Sequence, residues 1–115
     1  MTAHILQVAY YDKLLETRAQ MLKAAGYQVT SVLGNDKAIA LPAAVIAAAS
    51  LVVVGFSAPH SARDAMIHWF KAQHPRIPVV VLQFTSWERF PEADVSTFSE
   101  DPTIWLAEVA SILKS

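Results

Sequence analysis

Ser57, His60 and Asp64 have the side-chain types that hydrolysis uses, and they lie together in the run "GFSAPHSARD", residues 55–64. A serine nucleophile needs a base and an acid converging on it in line, with an oxyanion hole opposite. Residues three apart in one loop do not converge in that way. The nucleophile-elbow pattern G-x-S-x-G also lacks its second glycine here. The same stretch offers a metal pattern, because His60, Asp64 and His68 are spaced four apart. On a helix they would share one face, but three ligands on successive turns spread too far for one ion, so only a pair could serve. A solvated polar face accounts for the spacing. Gly34-Asn35-Asp36, Ser57 and Ser61 could hold an anion at helix starts. No G-x-G-x-x-G or Walker pattern supports a nucleotide. The residues therefore predict no catalytic group, no metal site and no cofactor, and the protein is not expected to be an enzyme.

The bulk properties narrow the classes further. The chain has 115 residues, enough for one domain spanning 1–115 and one core. Charged residues make up 17%, against about 25% in typical soluble domains, so part of the surface is expected to be covered by a partner. Nine basic residues are scattered among ten acidic ones. Nucleic acid or an anionic membrane needs a basic stripe, and none is present. The absence of cysteine removes disulfides, thiolate zinc and cysteine nucleophiles. The N-terminus has no basic region and its apolar run is broken by Gln7, so it is not a signal peptide. A cytoplasmic location is expected. The uncharged run from Ala38 to Pro59 contains Pro42, Ser50 and Gly55, and reads as a buried helix then a buried strand rather than a membrane span.

Strands and helices alternate along the chain. "HILQVAY" (4–10) reads as the first strand. An amphipathic helix follows, with Asp12 as its N-cap and Gly26 at its left-handed end. Leu15, Ala19 and Leu22 form its apolar face, flanked by Leu14 and Ala25, with Lys13, Glu16, Arg18 and Lys23 around the rest. "YQVTSVL" (27–33) alternates like a strand near a sheet edge, and a helical region after it breaks or restarts at Pro42. "LVVVGF" (51–56) and "IPVVVLQF" (77–84) are continuous apolar runs, as in central parallel strands. "SARD" (61–64) matches a capping box opening a helix that ends near His74-Pro75. On that helix Trp69 and Phe70 are adjacent, so one faces the sheet and the other the rim. "ADVSTFS" (93–99) is a weaker fifth strand. The last helix has Asp101 at its N-cap, Pro102 at its first position, and an apolar stripe of Trp105, Val109 and Ile112. This order predicts an α/β domain with a parallel sheet.

In this order and spacing, "HILQVAYYDKLLETRAQMLKAAGYQVTSV", "LVVVGFSAP", "IPVVVLQF" and "DPTIWLAEVASIL" resemble a response-regulator receiver domain of two-component signalling. The resemblance implies a flavodoxin-like three-layer α/β/α fold with a five-stranded parallel sheet of order 2-1-3-4-5. It also implies a chemistry. Receivers accept a phosphoryl group on an aspartate ending the third strand, with magnesium held by two acids ending the first. A Ser or Thr ends the fourth strand and a lysine the fifth. Aspartate attacks phosphorus only when metal and lysine neutralise the charge. This chain departs at each position: the acid pair falls at Ala9 and Tyr10, the phosphoacceptor at Gly55 and the hydroxyl at Gln83. The lysine falls near Phe98 or Ser99, and no lysine lies between Lys71 and Lys114.

The resemblance thus implies a degenerate, pseudo-receiver pocket, with Tyr11, Asp12, Phe56 and Ser57 as candidate pocket or ligand contacts. Only ten residues separate Gln83 from Asp94, including Pro91, so the fourth helix of the family is expected to be shortened or missing. Trp87 and Phe90 are candidates to plug that gap. Together with Trp105 they are also candidate interface aromatics. The expected function is signalling through a protein partner of unknown identity, without phosphorylation of this chain, and a homodimer fits the low charge and the tryptophans. No output domain is expected after the last helix. The rival is a small-ligand or anion-binding domain using the loops after Leu33 and Phe56.

Overall fold

The computed structural model describes residues 2–114. Its centre is set by the two β-branched runs. β3 (Leu51–Val54) and β4 (Val79–Gln83) are buried along their whole length. Such strands need cover on both faces, which only a parallel sheet with helices on each side provides. β1 (His4–Ala9) lies beside β3, β2 (Gln28–Leu33) forms one margin and β5 (Val95–Phe98) the other. All pairings are parallel, in the order β2-β1-β3-β4-β5.

Alternation along the strands sends side chains into two cores. On one face Ile5, Leu51, Val53, Val80 and Leu82 pack against Leu22 of α1 (Asp12–Ala24) and Trp105 and Val109 of α5 (Pro102–Lys114). On the other, Leu6, Val8, Val52, Val54, Val79 and Val81 meet α2 (Asn35–Ile39), α3 (Ala43–Ala47) and α4 (His60–Gln73). This is the three-layer arrangement expected from the sequence. Trp105 is 1% exposed. It belongs to the core and is no interface aromatic, because the α5 stripe that carries it packs against Val80 and Leu82 of β4.

Helix ends follow local chemistry, with two corrections. Gly26 has φ +100 and closes α1, and Asp101 accepts the Thr103 N–H at 2.9 Å ahead of Pro102. Asp12, however, is the first residue of α1 rather than its cap. Extended Tyr11 takes the cap position, and the Asp12 carboxylate accepts the adjacent Lys13 N–H at 2.8 Å. An acid in a first turn still complements the helix dipole. The "SARD" capping box does not form either. α4 begins at His60, behind Pro59, with no side-chain cap. The break at Pro42 is real and separates α2 from α3.

No helix connects β4 to β5. Residues 84–94 cross as an irregular segment held by Gln83. Its side chain donates to the Glu88 carbonyl at 2.8 Å and accepts the Glu88 N–H at 2.6 Å. Phe90 fills the space a helix would cover. It is 5% exposed and packs in the α4-side core, so it is a plug and no interface residue. Trp87 does not plug the gap: it stays 56% exposed with its ring 5.1 Å from that of Phe98. On α4, Phe70 is buried and half-buried Trp69 meets it edge-on. None of the described helices is long and apolar enough to cross a membrane.

Candidate functional site

The ends of β1, β3 and β4 meet at the carboxyl edge of the sheet, where parallel α/β folds place ligands. The register pairs Val8 with Val54, and the Gly55 N–H donates to the Val8 carbonyl at 2.9 Å. Ala9 and Gly55 are therefore neighbours, both buried. Gln83 ends β4, fully buried, with its amide committed to Glu88. Tyr10 is half-buried and donates to the Asn35 Oδ1 at 2.7 Å, while Asn35 Nδ2 donates to the Ala62 carbonyl at 2.8 Å. Burial pushes the Tyr10 phenol up to about 12, against a smaller opposing pull from the Arg63 charge. Tyr11, Asp12 and Ser57 are exposed at the rim.

The residue that fills the pocket is Arg18, which sequence reasoning placed on the polar side of α1. It is 4% exposed. A Cβ added to Gly55 would lie 2.5 Å from the Arg18 Nη1. The guanidinium thus occupies the space into which a side chain at position 55 would project. Helical side chains lean toward the N-terminus of their helix, which directs Arg18 from the middle of α1 up to this edge. Its Cζ lies 5.0 Å from the Phe56 ring centroid, and Phe56 stacks on Phe84 at 4.9 Å. Among the described residues no salt bridge involves Arg18, and its Nη2 is buried with no hydrogen-bond partner. Burial draws its pKa down to about 10, so it is still charged at neutral pH. A signal was present in the sequence: Leu15, Arg18 and Leu22 share the spacing of one helical face, and the only residue without a side chain at the strand end stands opposite.

Magnesium does not fit this set. A magnesium site needs hard oxygen donors, usually one or two carboxylates. The pocket positions supply a methyl group, a phenol, a glycine, an amide and a fixed cation. Among the described residues no three His, Cys, Asp or Glu side chains gather as a metal site. The other sequence constellations also disperse. His60 Nε2 is 2.7 Å from the Arg89 carbonyl, with its ring stacked on Phe90, and His68 Nδ1 is 2.9 Å from Glu92. Beside α2 an open recess of about 420 Å³ is lined by Tyr10, Leu33, Asn35 and Lys37. A larger one, about 630 Å³, lies at the opposite edge of the sheet against His4, Ser50 and Pro78.

No family model matches the chain, and neither does any curated protein sequence. Solved structures do. A response-regulator receiver domain protein from Clostridium thermocellum aligns with a TM-score of 0.84 over 97% of this chain and 94% of its own, at 12% identity. The BeF3-activated DrrB receiver domain aligns at 0.81 over 100% of both chains, at 20% identity. TrrA from Thermotoga maritima, in complex with Mg2+ and BeF, aligns at 0.79 over 97% of this chain and 99% of that one, at 14% identity. The fold is therefore the CheY-like receiver fold, a flavodoxin-like α/β/α sandwich.

Proposed function

We propose that this protein is a receiver-like signalling module of the response-regulator type that has lost phosphoryl transfer and works by contact with a protein partner. The observation that supports this reading is the exchange at the end of β3. Where receivers carry the phosphoacceptor, this chain has Gly55, and the Arg18 guanidinium stands in the vacated space. No nucleophile is left at that point. A cation replaces both the acid and the metal it would bind. For contact, the chain offers the exposed aromatic pair Trp87 and Phe98 beside the helix-free crossing, together with Ile104 on α5. Exposed aromatics of this kind suit a protein interface, a second copy included. The expected setting is the cytoplasm, with neither nucleic acid nor membrane as partner.

The test is incubation with acetyl phosphate and magnesium, followed by intact mass. An unchanged mass is expected, and a phosphoryl group on any aspartate overturns the reading. Light scattering on the wild type and on Trp87→Asp examines self-association through the aromatic pair.

A further inference from the structure

We propose that Arg18 is the anchor of a metal-free oxyanion site, taking a small phosphate or carboxylate ligand beside the Phe56 ring. The first ground is the state of the guanidinium. It is nearly fully buried and carries its charge, yet among the described residues it has no carboxylate partner, and its Nη2 has no acceptor. A buried charge is expensive unless it is paired and hydrogen-bonded. Folded proteins do not ordinarily leave a buried guanidinium nitrogen without an acceptor. The only compensation described is the face of Phe56, which satisfies charge but no N–H.

The second ground is the lid. Phe56, whose ring faces the guanidinium, and Phe84, which stacks on Phe56, both come from segments just past strand ends rather than from the strands themselves. Phe56 is half-buried and Phe84 is 46% exposed. Phe84 is followed by Thr85 at φ +52, the single non-glycine in the left-handed region among the described residues. A β-branched residue rarely adopts that conformation, and such strain collects at switch and clamp segments. Relaxing Thr85 would carry Phe84 away and uncover Phe56 and the guanidinium behind it. The depth of Arg18 selects a small ligand, and the planar fork selects an oxyanion that it can grip with two parallel bonds.

This inference rests on the reading that the pocket no longer transfers phosphate, and names the kind of molecule that would act there instead. The two are separable by experiment. Inorganic phosphate and, in a second arm, acetate are titrated calorimetrically into the full chain without magnesium, with chloride as the control. The Arg18 Nε–H resonance is followed by NMR in parallel. Saturable binding in at least one arm, with the Arg18 resonance shifting, is expected; which arm responds identifies the ligand as phosphate-like or carboxylate-like. Arg18→Met should weaken binding by roughly tenfold or more while leaving the fold at least as stable, since an uncompensated charge is removed. Arg18→Lys keeps the charge without the fork and should bind with intermediate strength. No saturable response to either anion overturns the proposal, as does binding undiminished in Arg18→Met. A phosphoryl adduct in the mass experiment would instead sink the underlying functional reading.

Discussion

Two arginines sit at the carboxyl edge of this sheet under almost the same conditions. Arg18 and Arg63 are both 4% exposed, and each lies 5.0 Å from the centroid of a phenylalanine ring. They differ in what else they hold. Arg63 donates to the Ala58 carbonyl at 2.8 Å and forms an ion pair with Glu88, while its partner ring, Phe90, is buried. Arg18 has no such partners, and its rings reach solvent. The comparison separates a structural cation from a poised one. Arg63 ties the β3–α4 loop to the crossing between β4 and β5, and so replaces the order a helix would have brought. Arg18 holds only the face of Phe56, and its burial is a cost that the fold carries.

The largest expected effect lies on the Arg63 side. Phe90→Ala should lower stability by about 3–5 kcal/mol, since it empties the plug and strips Arg63 of its ring. Phe84→Ala, by contrast, should cost about 1 kcal/mol or less. Denaturant melts of the two variants measure the gap, and equal losses would erase the distinction between plug and lid. Next comes Arg63→Met, with an expected loss of about 2–3 kcal/mol from the stranded Glu88 and Ala58 acceptors. The corresponding Arg18→Met should lose nothing.

The placement of Arg18 can be checked directly. In a double-mutant cycle of Gly55→Asp with Arg18→Met, the new carboxylate should be tolerated beside the guanidinium and penalised without it. The expected coupling is about 2 kcal/mol. A coupling near zero would mean that the two positions do not meet.

The smallest effect concerns Tyr10. The unfolded phenol ionises near 10, whereas the buried one holds its proton to about 12. The unfolded chain therefore binds fewer protons in that window, and the Tyr10 contribution, complete below pH 10, falls as pH rises toward 12. Tyr10→Phe should flatten that alkaline decline in thermal midpoint. A decline of the same slope in the variant would assign it to other groups.

The sheet was legible because its signal is local and redundant. "LVVV" and "VVVLQ" cannot be half-exposed strands, and the alternation of periods around them leaves a parallel sheet. The lost helix was legible from a short interval and Pro91. Arg18 was missed for a physical reason. Its position on the apolar face of α1 conflicts with its charge, and a helical wheel resolves that conflict by pushing the charge outward. What reverses the choice is a vacancy four elements away, at Gly55 just past β3, and no local pattern carries that. Trp105 and Phe90 were ambiguous for a related cause: an aromatic fits a core or an interface equally well until the neighbouring cover is known. The two caps, Asp12 and Ser61, failed because Tyr11 and Pro59 took the preceding extended positions.

The helix-free crossing has a consequence for motion. Residues 84–94 have no ladder of i→i−4 bonds, and the four-residue β5 beyond them is hydrogen-bonded to β4 alone. The opposite margin, β2, is likewise paired on one side, but it is six residues long and follows directly on α1. Amide exchange should therefore begin at Val95–Phe98 and spread no further than the crossing. That would give the domain one seam that opens well below the energy of global unfolding while the remaining strands keep their protection.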